Sequence, residues 1–202
     1  MVEKGIDPES IHETSSGHGS GRQFGNMKVI LVAVSSLDGK ITRGRDPNIY
    51  SWTSKEDTKL FFLLIKKHNL IVMGSKTYEM SRGIIKLQKN KLRIVLTRNP
   101  KKYAAFTVPQ SLEFSNETPQ ELIYRLKTKG YKKMLLVGGS EINTSFFKFS
   151  LVDEMHLTTE PYIFGTGKTI VEDEDLNVSL KLISFKKLNK QGTLLLKYKV
   201  QR

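Results

Sequence analysis

The sequence predicts a single-domain α/β fold in which a mainly parallel sheet, covered on both faces, ends in an antiparallel C-terminal hairpin. Three observations carry this. Several strand candidates, such as 70–73 and 134–137, are short continuous apolar runs, the pattern of strands buried on both faces. Helical segments lie between them, as crossovers between parallel strands require. The last two strand candidates, 180–188 and 193–200, are separated only by the turn Asn189-Lys190-Gln191-Gly192.

Each element has its own local cause. Residues 1–26 are rich in Gly, Ser and His with almost no apolar periodicity. They read as a leader, disordered or foreign to the fold, and the folded domain is expected over 27–202. Met27 then opens a strand at 28–34. Ser54-Lys55-Glu56-Asp57 starts a helix, and 57, 61, 64 and 68 share one face of it. A buried strand at 70–73 runs into the turn Gly74-Ser75-Lys76-Thr77, and a strand at 92–97 ends in Thr97-Arg98-Asn99-Pro100. Thr118-Pro119-Gln120-Glu121 supplies an N-cap, a proline in the first turn and a capping-box acid, and Gly130 closes that helix. The strand at 134–137 meets Gly138-Gly139, and a helix runs from Ser140 to about Phe149, before a strand at 154–159.

Composition narrows the function. At 202 residues one domain with a full core fits, and two would be cramped. There is no cysteine, so no disulfide or thiolate metal site is expected. No apolar run reaches a membrane span and no secretory pattern opens the chain, so a soluble cytoplasmic protein is expected. Net charge is +13, and higher without the acid-rich leader, which suits anionic small molecules. The bases are scattered, with no aromatic-studded basic strand and no helix-turn-helix, so nucleic acid is not an expected partner.

Several motifs bear on chemistry. Asp57 heads an otherwise apolar helix, where burial raises a carboxyl pKa; against this, it stands at the third position of a capping box. Gly165-Thr166-Gly167-Lys168-Thr169 imitates a phosphate loop, but the position of its first glycine is Tyr162 and an acidic, helix-poor run follows. A turn is the better reading. Gly138-Gly139-Ser140 lets a ligand approach the backbone at a helix start. Thr97 and Arg98 at a strand end suit a phosphate monoester.

Taken in order, these residues resemble the dihydrofolate reductase superfamily, which includes the pyrimidine reductase of riboflavin synthesis, over residues 27 to about 200. The resemblance implies a three-layer Rossmann-like fold and an NADPH-dependent oxidoreductase. It places Ala33 and Val34 against nicotinamide and substrate, with Ile41 on the mobile loop that follows. Gly74, Ser75, Lys76 and Thr77 would lie over the cofactor pyrophosphate, and Thr97 and Arg98 on the adenosine 2′-phosphate. Val137, Gly138, Gly139, Ser140, Glu141 and Ile142 would border pyrophosphate and nicotinamide.

For substrate, the resemblance divides. Trp52, Asp57 and Phe61 match the folate enzyme's spacing, and Thr158 matches its pterin-side threonine, so Asp57 and Thr158 would be catalytic and Trp52 and Phe61 would bind the ring. Dihydrofolate reduction is the first expectation. Gly138–Asn143, Glu160-Pro161 and Phe164-Gly165-Thr166-Gly167 look more like the pyrimidine reductases, making a phosphoribosylamino-pyrimidine the alternative. The folate enzyme's tail-binding arginine is replaced by Lys91, with Arg93 nearby, and lysine cannot form a bidentate fork. A pterin or pyrimidine is therefore the expected partner, in a monomer or homodimer. A third reading, an inactive nucleotide- or RNA-binding member, would show salt-sensitive RNA binding without NADPH oxidation.

Overall fold

The computed structural model describes residues 27–201. The expected leader lies outside the described residues. In chain order the elements are β1 (Lys28–Ser36), α1 (Lys55–Lys67), β2 (Leu70–Gly74), α2 (Ser75–Ser81), β3 (Leu92–Leu96), β4 (Leu112–Ser115), α3 (Pro119–Thr128), β5 (Lys133–Leu136), α4 (Ser140–Lys148), β6 (Glu154–Glu160), β7 (Leu180–Lys187) and β8 (Leu194–Val200). Short 3-10 turns occupy Ile49–Ser51 and Pro100–Phe106.

The strands form one sheet in the order β4-β3-β2-β5-β1-β6-β8-β7. All pairings from β4 to β6 are parallel, and β8 joins antiparallel to β6 and β7. The α/β class and the closing hairpin are thus as expected. Asn189 Oδ1 builds the hairpin turn by accepting from the backbone N–H groups of Gly192 and Thr193, both at 3.1 Å.

Strand alternation sorts the core into two layers. Val72, Ile94 and Leu136 face α3 and α4, where Leu122, Leu126 and Phe146 are fully buried. Ile71, Met73, Val95 and Leu135 face the other way, toward Tyr78 of α2 and Leu64 and Ile65 of α1. The capping box at Thr118 and Glu121 is present, with Gly130 just beyond the helix at φ +83°. One strand was not expected: β4 is four residues long and half polar, and it pairs only with β3 at the sheet edge.

Among the described residues no helix is long and apolar enough to cross a membrane. The GKT turn is a turn: Gly165 and Gly167 both take positive φ, and no helix follows.

Candidate active site

The carboxyl ends of the parallel strands open into a cleft of about 1440 Å³, where open α/β sheets hold ligands. Ala33 and Val34 from β1 and Ile41 beyond it line one side. Asp57 and Phe61 project from α1, while Gly74, Ser75, Lys76 and Thr77 form the β2–α2 turn. Thr97, Arg98 and Lys91 line it from the ends of β3, and Val137, Gly138, Gly139, Ser140, Glu141 and Ile142 from the β5–α4 junction.

Two expected residues do not line it. Trp52 is buried instead, edge-on to the Phe164 ring at 5.1 Å, and its indole N–H has no partner. The turn at Ile49–Ser51 carries the chain inward there, so Trp52 packs beneath the site; in its place Tyr50 lines the cleft. Thr158 is 3% exposed and stands near enough to Asp57 to lower that carboxyl's pKa.

Asp57 is buried yet faces the cleft. Burial raises its pKa to about 6; the Thr158 hydrogen bond opposes the rise and the Glu160 charge adds to it. The capping question has a structural answer. The Ser54 side chain does accept from the Asp57 N–H, at 3.2 Å. The return bond does not form, because the Ser54 N–H is donated to Glu160 at 2.7 Å. The Asp57 carboxyl is thereby left free for the cleft. Glu160 is fully buried, and its second oxygen accepts from the Thr193 hydroxyl at 2.6 Å.

The cleft floor is backbone. Gly74 N–H donates to Gly138 O at 2.7 Å, and a Cβ on Gly74 would sit 2.9 Å from Ile142 Cγ1. A Cβ on Gly139 would meet Thr77 Oγ1 at 3.4 Å. The Ser140 hydroxyl is held by Thr169 O at 2.5 Å, so the start of α4 offers N–H groups there. Asn143 donates to Ile170 O, and its buried Oδ1 lines the same floor without a partner. Lys76 lies on the surface in an ion pair with Glu141 at 2.6 Å. Bare backbone, unbonded N–H groups, then Thr97 and exposed Arg98 along one groove fit a phosphorylated dinucleotide.

The loop after β1, expected to be mobile, is bonded along its length to the turn after β6. Asp38 accepts from the N–H groups of Phe164 at 3.1 Å and Gly165 at 2.7 Å. Leu37 N–H donates to Tyr162 O at 2.8 Å, Ile41 N–H to Lys168 O at 2.7 Å and Gly44 N–H to Thr166 O at 3.1 Å. The Ser36 hydroxyl, with those two N–H groups, holds the Asp38 pKa down to about 2.

Lys91 does not present a free ammonium. It is buried, and its Nζ donates to the carbonyls of Ile65 and Lys66 at the end of α1. Sequence reasoning noted Arg93 only as a neighbour of Lys91 and Glu160 only as part of the Glu160-Pro161 pair, and placed neither among the site residues. Glu160 joins partners 106 and 33 positions away in the chain, which no local pattern reveals. Arg93 did leave a signal, a charge inside the apolar run Leu-Arg-Ile-Val-Leu.

The RibD C-terminal domain family matches residues 27–194. Among curated relatives, the uncharacterized protein YyaP of Bacillus subtilis is 25% identical over 165 residues, 78% of this chain and 87% of that protein. Among solved structures, a pyrimidine reductase-like protein of Corynebacterium diphtheriae superposes with a TM-score of 0.67 at 17% identity, covering 87% of this chain and 92% of that one. Dihydrofolate reductase of Enterococcus faecalis, complexed with NADP(H), superposes with a TM-score of 0.62 at 20% identity, covering 87% and 97%. The fold is therefore the one these reductases share.

Proposed function

The chain belongs to the RibD C-terminal domain family and is an oxidoreductase; on that premise we propose that it uses NADPH to reduce a substrate built on an amino-pyrimidine ring. The substrate proposed first is 5-amino-6-(5-phosphoribosylamino)uracil, because the family match spans nearly the whole described chain. The observation that carries the ring is Asp57, an acid freed from capping and turned into an apolar cleft. NADPH, when bound, supplies the hydride.

The remaining work falls to side chains and backbone. The Gly74, Gly138 and Gly139 floor brings backbone against the cofactor, and Thr97 with Arg98 takes a 2′-phosphate. Val34, Phe61 and Ile41 exclude water above the transfer point. Asp57 titrates at about 6, so as carboxylate it accepts from ring N–H groups and as acid it gives a proton to the heteroatom beside the carbon that takes the hydride. Alignment of the nicotinamide against the carbon it reduces, the sugar C1′ of the phosphoribosylamino-pyrimidine, supplies most of the rate.

Dihydrofolate is the second reading. It is favoured by the Thr158 hydroxyl seated against Asp57, which would orient that carboxyl for protonation of a pterin nitrogen. NADPH oxidation with each substrate separately tests both. Turnover of the phosphorylated pyrimidine alone supports the first reading, turnover of dihydrofolate alone the second, and oxidation with neither rejects both.

A further inference from the structure

The turn that buries Trp52 leaves Tyr50, two residues earlier, lining the cleft together with Asp57. That turn is tied on both sides. Asn48 Oδ1 accepts from the Tyr50 N–H at 3.1 Å, and the Ser51 hydroxyl donates to Asn48 O at 2.8 Å. The Trp52 and Thr53 N–H groups donate to Ile49 O at 3.3 and 3.1 Å. Trp52, buried against Phe164, anchors the far end. Tyr50 is therefore carried into the cleft on a bonded backbone, with its ring half-exposed.

The Tyr50 hydroxyl is uncommitted: among the described residues it has no hydrogen-bond partner. Burial raises the pKa of the phenol, and the charge of Asp57 raises it further, so the two groups stand within electrostatic reach of each other. A phenol in this setting keeps its proton and can donate, whereas an ionised carboxyl only accepts. The pair thus offers one acceptor group and one donor to whatever ring enters. A ring edge with two neighbouring N–H donors is satisfied by the two oxygens of Asp57 alone. An edge with an N–H beside a C=O gives Asp57 the N–H and leaves an oxygen that needs a donor, since a buried acceptor without one is costly.

We propose that Tyr50 is a specificity-determining residue, its hydroxyl donating to the ring oxygen next to the N–H that Asp57 accepts. The site then selects an oxo-pyrimidine edge, N–H beside C=O, over a diamino edge of two donors. This rests on the reading that Asp57 holds the substrate ring, and it names the chemical class of that ring. Both rings proposed as substrate carry such an oxo edge, so Tyr50 does not choose between them. It sets both apart from diaminopyrimidines.

Calorimetric titration of the full chain with two fragments tests this without turnover. The probes are 6-aminouracil, which has the oxo edge, and 2,4-diaminopyrimidine, which has the diamino edge. Tyr50→Phe removes only the hydroxyl. It should weaken 6-aminouracil by about fivefold and change 2,4-diaminopyrimidine by less than about twofold. Because the hydroxyl has no protein partner, ligand-free Tyr50→Phe should melt with the wild type. Asp57→Asn should weaken both fragments. The proposal alone falls if Asp57→Asn weakens both while Tyr50→Phe changes the two equally or changes neither. It also falls alone if Tyr50→Phe melts well below wild type and loses both fragments, which would make the tyrosine a brace for the turn. If Asp57→Asn leaves both affinities unchanged, the reading of Asp57 as the ring's anchor falls and takes this proposal with it.

Discussion

The Glu160 carboxylate accepts a 2.7 Å hydrogen bond from the backbone N–H of Ser54, the N-cap of the helix that carries Asp57. That bond takes the donor a capping-box acid would use. It also puts a second acid close enough to raise the Asp57 pKa. One buried glutamate thus takes the donor that would cap Asp57 and adds, after burial, to the rise in its pKa.

Replacing Glu160 should act twice. Glu160→Ala leaves the Ser54 N–H and the Thr193 hydroxyl without acceptors, at a cost of about 2–4 kcal/mol in urea denaturation. Glu160→Gln keeps the shape and removes the charge. Its pH–activity midpoint should move to lower pH, since a like charge no longer disfavours the Asp57 carboxylate. A midpoint unchanged in Glu160→Gln would break the link between the two acids.

Asp57 makes stability depend on pH. Its carboxyl titrates at about 6 in the folded chain against 3.8 when unfolded, so the folded state holds the proton more tightly. This contribution is greatest below the unfolded value, declines as pH rises through that window and is level above it. The full span is about 2–3 kcal/mol. Asp57→Asn should flatten that slope, gain stability at neutral pH and lose about 10²–10⁴ in turnover. Denaturation curves across the window and NADPH oxidation rates check the two halves.

The nucleotide groove predicts cofactor preference. Arg98 is exposed at the end of β3 with Thr97 beside it, and both line the groove. Arg98→Ala should raise KM for NADPH about tenfold while leaving KM for NADH nearly unchanged. Equal losses with both cofactors would place Arg98 away from the 2′-phosphate.

Gly74 should not tolerate a side chain. A Cβ there would stand 2.9 Å from Ile142 Cγ1, beside the Gly74–Gly138 hydrogen bond that joins β2 to the β5–α4 turn. Gly74→Ala should cost about 1–3 kcal/mol and weaken NADPH binding. Thermal melting with and without NADPH separates the two effects.

The sequence showed the parallel core clearly because its strands are unbroken apolar runs, which only burial on both faces explains. It missed β4, whose Leu-Glu-Phe-Ser is too short and too polar to stand out, and which exists only because the edge of β3 offers it a ladder. Asp57 was visible as a candidate, but its choice between cap and cleft was not. That choice depended on an acid 103 positions later in the chain, brought near by the β1–β6 pairing. The burial of Trp52 against Phe164 was hidden for a related reason: spacing along a chain fixes order, not the side of the turn on which a ring falls.

The bonds between the loop after β1 and the turn after β6 bear on traffic. Asp38, Leu37, Ile41 and Gly44 are fastened to the segment from Tyr162 to Lys168, so this rim is a post and not a door. Molecules arriving and leaving are directed instead to the part of the cleft lined by Ile84, which stands 46% exposed. The slow physical event of a catalytic cycle is then to be sought there, in the passage of cargo past that part of the cleft.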